Sequence, residues 1–189
     1  MQKIDNLTDS QIIKQILDGD VDAYSLIVER YEAKLMRYAT YILKDYDIAS
    51  DITQETFIKA YTNLRGFKLD KQFSSWIYRI LHNEAMNYIK RSKKLVSLGA
   101  VSEIDDNFLQ SFKSDKDFDQ KLLKDDVRKC LNDMDVKYRE VLMLNYFDHL
   151  KYDEISDILR IPTSTVGIRI RRAKISLKKI CQQKGVSHE

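Results

Sequence analysis

With one proline and five glycines in 189 residues, the chain has almost nothing with which to punctuate short strands and hairpins. Leu, Ile, Lys, Glu and Asp meanwhile recur at three- and four-residue spacing, so an all-α fold is expected. The length suits one ordinary domain or two small ones. At 43% hydrophobic and 32% charged residues, neither a wholly disordered chain nor a membrane-embedded one fits. No apolar run approaches the roughly 20 residues that a bilayer span needs. The amino-terminal MQKIDNLTDSQ has no apolar stretch behind a basic start, so a cytoplasmic location is expected. Cys130 and Cys181 belong to no CxxC or Cys/His cluster; they read as buried or idle thiols, with no metal or redox site.

The periodicity divides the chain. Thr8-Asp9-Ser10-Gln11 reads as a capping box opening a first helix that ends at Gly19. A second begins at Asp20, where Tyr24, Ile27, Val28, Tyr31, Leu35, Tyr38 and Ile42 make one apolar stripe. A third follows Asp47 and runs to Gly66. The stretch 66–72 breaks the period, and Ser74 or Ser75 can cap a fourth helix through about Ser92. These four helices make one body, residues 8–93. Residues 94–122 carry no helical stripe and read as a flexible acidic tether. Helical order resumes near Leu123 and forms a second body, 123–183, with a break at Asp148-His149-Leu150.

Charge sharpens the division. Residues 1–98 carry 15 basic and 13 acidic side chains, 99–122 carry 3 and 6, and 123–189 carry 14 and 10. From Ile158 to His188 there is no Asp or Glu, while eight Lys and Arg fall there. One-sided basicity of this kind marks a polyanion partner. The same region has helix-turn-helix spacing. Ile155, Ile158 and Leu159 bury a first helix, Arg160-Ile161-Pro162 makes the turn, and Thr163 or Ser164 can cap the second helix. At about 100° per residue Val166, Ile170, Ala173 and Leu177 form its core stripe, which leaves Thr165, Ile168, Arg169, Arg171 and Arg172 outside or flanking it. Guanidiniums suit phosphates and guanine edges, and an exposed Ile168 suits a thymine methyl group, so this helix is expected in a major groove.

In the fourth helix Arg79, Asn83, Met86, Asn87 and Lys90 share one face, with Trp76 at its edge and Arg91 just beyond. Amides, cations and a ring together can hold a phosphate backbone while engaging an unstacked base. Trp76 reads equally well as core. Phe67 and Phe73 bracket the preceding loop, as hydrophobic anchors or as part of a base pocket. On the third helix Asp51, Gln54 and Glu55 make a polar patch beside Ile58, which on spacing alone is a solvated face.

Gly19-Asp20 with Ala23-Tyr24, the run Ala49-Ser50-Asp51-Ile52-Thr53-Gln54-Glu55-Thr56-Phe57, the run Phe73-Ser74-Ser75-Trp76-Ile77-Tyr78-Arg79-Ile80 with Asn83, and the stretch from Tyr138-Arg139-Glu140-Val141 to Leu177 resemble, in order and spacing, the extracytoplasmic-function group of bacterial RNA polymerase sigma factors. The first segments are similar to the family's σ2 domain and the last to its σ4 domain, with the tether between. The resemblance implies that Asp51, Gln54 and Glu55 dock on core RNA polymerase. It implies that the loop and Phe67, Phe73, Trp76, Arg79, Asn83, Asn87, Lys90 and Arg91 capture the melted minus-10 strand. Ser164, Thr165, Ile168, Arg169, Arg171, Arg172 and Lys174 would read the minus-35 element as duplex. A membrane-anchored anti-sigma factor is the further partner implied, and neither a cofactor, a small-molecule substrate nor a catalytic residue is expected. Asn87 stands where the family often has Asp, Met134-Asp135 where it often has Leu-Pro, Gly167 where it often has Lys, and Ile168 where it has a small hydroxyl residue. The competing reading is a stand-alone helix-turn-helix regulator that binds duplex DNA without polymerase.

Overall fold

A computed structural model of the protein describes residues 7–97 and 125–185, and among these every regular element is helical. Helix α1 (Asp9–Leu17) opens with the expected capping box: Thr8 Oγ1 accepts from the Gln11 amide, and the Gln11 side chain accepts from the Thr8 amide at 2.8 Å. Gly19, at φ +114, turns the chain in a conformation that costs a side-chain-bearing residue dearly. One tight turn, Val21–Ala23, capped by Asp20, leads into α2 (Tyr24–Leu43). Its stripe of Ile27, Tyr31, Leu35, Tyr38 and Ile42 is buried as the spacing predicts.

Helix α3 (Tyr46–Thr62) starts slightly earlier than expected, because Asp45 rather than Asp47 supplies the cap, accepting from the Ile48 amide at 3.0 Å. It stops at Thr62, and a separate tight turn, Leu64–Gly66, covers the remaining residues. Helix α4 (Phe73–Ser97) outruns its expected end at Ser92, so residues 94–97, assigned above to the tether, are its last turn. The rest of the tether, with the resumption of helix at Leu123, lies outside the described residues.

The second body contains α5 (Asp125–Asn132), α6 (Val136–Leu142), a wide π-helical turn (Met143–Phe147), α7 (Tyr152–Leu159) and α8 (Thr163–Gln183). Asp135 caps α6 by accepting from the Lys137 amide at 3.1 Å, so the residue that departs from the family's pattern still starts this helix. Arg160, at φ 53, makes the turn after α7. The cap position of α8 falls at Pro162, with no side-chain cap, so Thr163 and Ser164 are helical residues and not the cap expected of them. A proline there fixes φ and loses no intrahelical hydrogen bond, which is enough to start the helix. Val166, Ile170 and Ala173 form the buried stripe, with Leu177 packed against it. Cys130 and Cys181 are both buried, but the reading of them as idle thiols fails: a disulfide joins α5 to the end of α8, across 51 residues. A separation that long leaves no local pattern in the sequence.

The two bodies also touch. Helix α2 packs on α6 and α4 packs on α7, so the two cores form one continuous cluster.

Candidate nucleic-acid interfaces

The loop before α4 is held by aromatic packing. Phe67 and Phe73 are buried, edge-on at 5.4 Å, and Tyr31 of α2 closes on Phe73 at 5.6 Å. Trp76, half-buried, lies 5.1 Å from Phe67 and 5.5 Å from Phe73. Phe67 and Phe73 therefore act as anchors, of which Phe67 also floors a groove of about 560 Å³ whose near wall includes Lys68, Lys71, Gln72, Trp76 and Arg79. From Arg79 the same face climbs α4 through exposed Asn83, Asn87, Lys90 and Arg91. The far wall of the groove belongs to the other body: Asp153, Glu154 and Asp157 of α7. Arg79 donates to Asp157 at 2.9 Å, and Ser74 Oγ donates to Glu154 at 3.3 Å.

On α3, Asp51, Gln54 and Glu55 are exposed, and Glu55 holds Lys59 at 3.3 Å, which bonds Glu84 of α4 at 2.8 Å. Ile58 and Tyr61 stand exposed beside them, which makes the patch amphipathic.

Helix α8 presents exposed Ser164, Ile168, Arg171, Arg172 and Lys174, with Thr165 half-buried. Lys174 lies over the Tyr146 ring at 4.9 Å. Where a residue other than Gly167 would carry its Cβ, the ring of Tyr152 lies 3.6 Å away, ordinary contact distance. Arg169 differs from the other arginines of this helix. It flanks the core stripe and donates to the buried Glu140 of α6 at 3.1 Å.

Glu140 sits where the bodies meet, its Oε2 3.9 Å from His82 Nδ1 of α4, which in turn meets the Tyr38 hydroxyl at 3.1 Å. Burial pushes the Glu140 carboxyl up to about 7, against the pull of Arg169. Burial, and then Arg169, brings His82 down to about 4. A second pair crosses the junction: Arg37 of α2 donates to Asp148, whose side chain is 1% exposed, and to the Phe147 carbonyl. Burial raises the Asp148 carboxyl even so. The sequence reading missed all of these junction residues. Tyr38 reads only as part of the apolar stripe of α2, Glu140 only within a stretch of family resemblance, and Asp148 only as part of a break.

Among the described residues no group of three or more His, Cys, Asp or Glu is placed to hold a metal ion, and no helix is long and apolar enough to cross a membrane.

The chain is similar to known proteins over most of its length. The family described as Sigma-70 region 2 matches residues 27–95, and Sigma-70, region 4 matches residues 124–177. The ECF RNA polymerase sigma factor SigW of Bacillus subtilis (strain 168) is 33% identical over 186 residues, covering 88% of this chain and 93% of that protein. The RNA polymerase sigma-H factor of Pseudomonas aeruginosa is 30% identical over 181 residues, covering 92% and 94%. The structure of CnrH in complex with the cytosolic domain of CnrY shares the fold, with a TM-score of 0.68 at 21% identity over 93% of this chain and 97% of that one. Two matched segments of one family set aside the stand-alone regulator. The chain belongs to the extracytoplasmic-function (ECF) RNA polymerase sigma factors.

Proposed function

We propose that this chain is a specificity subunit without catalysis of its own, which seats on core RNA polymerase and directs it to promoters. The amphipathic patch of Asp51, Gln54, Glu55 and Ile58 docks on the polymerase. The face running from Trp76 and Arg79 to Arg91 captures the melted minus-10 strand, and the outer face of α8 reads the minus-35 element. The observation that carries this reading is that one chain bears two unlike polyanion faces. One is rich in amides, with a half-buried indole over an aromatic floor; the other is a basic helix with no acid between Ile158 and His188.

Those two chemistries suit two states of DNA. Opening duplex costs roughly 1.4 kcal/mol per base-pair step in stacking. Base–aromatic stacking returns about 1–3 kcal/mol per base and needs unpaired bases to act on. Side chains on a helix that enters a major groove read base-pair edges only while the duplex is intact. The minus-10 face therefore acts after melting and the minus-35 face before it.

The protein would work in the cytoplasm, with a membrane-anchored anti-sigma factor covering its polymerase-binding surfaces until a signal arrives. Solved relatives of the same fold include CnrH with the cytosolic domain of CnrY, and RpoE with the anti-sigma factor NepR from Bartonella quintana at a TM-score of 0.67. A gel shift of promoter fragments with and without core polymerase tests the main claim. Retention of the fragment only when polymerase is present is the expected result. Equally tight retention by the chain alone, or no capture of the chain by purified core enzyme, overturns it.

A further inference from the structure

One cation on the outer face of α8 has an aromatic rest beneath it. Tyr146, in the π-helical turn, and Tyr152, the first residue of α7, are both exposed, and both reach α8. The Tyr152 ring faces Gly167, and the Lys174 ammonium lies 4.9 Å from the centre of the Tyr146 ring. Positions 167 and 174 are two helical turns apart, so the two rings border one strip of the helix. A hydrogen bond with the Tyr146 hydroxyl, and then the field of that phenol, keeps Lys174 protonated to higher pH than usual, and Tyr152 adds a little to this. The turn that carries Tyr146 is itself fixed. Asn145 Nδ2 donates to the Leu150 carbonyl at 3.0 Å, the Leu150 amide to the Leu144 carbonyl at 3.0 Å, and the Asp148 amide to the Met143 carbonyl at 3.1 Å. Met143 and Leu144 beside it are fully buried.

A partner of this kind differs from the one that holds Arg169. Glu140 is a carboxylate and rivals a phosphate for its guanidinium, whereas a phenol is neutral and a far weaker acceptor than a phosphate oxygen. The ammonium has three N–H donors, so after the Tyr146 hydroxyl takes one, others remain for an anion. A lysine has much rotamer freedom to lose, and one already held over a ring loses less of it when it meets a phosphate. Building on the proposed function, we propose that Tyr146 is a positioning residue of the minus-35 grip: its ring and hydroxyl hold Lys174 in place, with its charge uncancelled, for one phosphate of the duplex. Such a contact carries no base preference. It fixes the register of α8, so that Ile168 and Arg172 meet the base edges they are assigned to.

The test is retention of a fluorescein-labelled promoter duplex by the whole chain seated on core polymerase, over a series of potassium chloride concentrations. Each phosphate contact contributes about −0.9 to the slope of log affinity against log salt. Lys174→Gln should therefore weaken binding and flatten that slope by about one. Tyr146→Leu removes no charge, yet it should flatten the slope nearly as much and weaken binding about two- to tenfold. Tyr146→Phe keeps the ring and should retain most of both. Tyr146→Leu/Lys174→Gln should bind no worse than Lys174→Gln alone, because the two residues act as a unit. A substitution that merely destabilised the fold would lower the active fraction and leave the slope untouched. A Tyr146→Leu protein with the parental slope, or a loss that adds in full to that of Lys174→Gln, overturns the positioning role. Failure of the parent holoenzyme to retain the duplex in a salt-dependent way would instead strike the proposed function beneath it.

Discussion

Helices α4 and α8, 25 and 21 residues long, are the longest described in their respective bodies, and both carry arginines off their core stripes; yet their surroundings are opposite. The arginine nearest the groove on α4, Arg79, is countered by a carboxylate from the other body. On α8 the outer cations have no acidic neighbour on their own helix, and only Arg169 is drawn inward, by Glu140 of its own body. The comparison teaches that like side chains on two helices of one chain can be met by an acid from the other body in one place and left in solvent in the other.

The first way to break it is to ask whether each helix is anchored in its own body. Ile77 on α4 is fully buried and Ile170 on α8 is 2% exposed. Ile77→Ala and Ile170→Ala are each expected to cost about 2–5 kcal/mol in urea denaturation, by lost transfer energy plus a cavity. A negligible loss at either would mean that its helix face is not fixed by packing.

The next concerns the junction, where two groups lean opposite ways with pH. Glu140 has a folded-state pKa raised from 4.5 to about 7, so its contribution to stability is present below 4.5 and lost as pH rises through 7. His82 has one lowered from 6.5 to about 4, so its contribution is present above 6.5 and lost as pH falls through 4. Glu140→Gln removes the first effect. Relative to the parent its stability should rise between pH 4.5 and 7, by roughly 1–3 kcal/mol at the upper end, as read from denaturation curves at several pH values. A difference that stays flat over that window would show Glu140 to be ionised throughout.

The division of labour is sharpened by Arg172→Ala, at an exposed position on the outer face of α8. It should weaken use of promoters carrying a minus-35 element by about 1–3 kcal/mol in run-off transcription while leaving capture by core polymerase unchanged. Equal loss of both would merge the two roles. The smallest effect concerns Gly167, which stands inside α8 and leaves room for a methyl group beside Tyr152. Gly167→Ala should raise stability by up to about 1 kcal/mol, seen as a higher melting temperature.

Much of this was legible along the chain, where the cause was local. The capping box at Thr8, the stripes of α2 and α8, and the exposure of Asn83, Asn87 and Lys90 on α4 follow from helical spacing and are found as expected, whereas Met86, read on the same face, packs against the core. Local chemistry failed at Ser164, where a hydroxyl in a plausible cap position is preceded by a proline that already sets the helix start. It failed again at Arg169, since a helical wheel shows that the residue flanks the core but not that Glu140, 29 positions away, waits there. The junction was invisible for the same reason on a larger scale. Arg37 and Asp148 stand 111 residues apart, and no periodicity couples positions so distant. The polar patch on α3 stands apart from these cases, because its geometry is an ordinary solvated turn and only kinship gives it a role.

Because the acidic edge of α7 and the groove of α4 sit on one polypeptide, their encounter is intramolecular, with an effective concentration set by the length of chain between them rather than by how much protein is present. Contacts far too feeble to hold two separate molecules together can therefore keep these two bodies in register. A rival that wedges them apart must outcompete that local crowding, and a large machine gripping both halves at once is better equipped to do so than a loose strand.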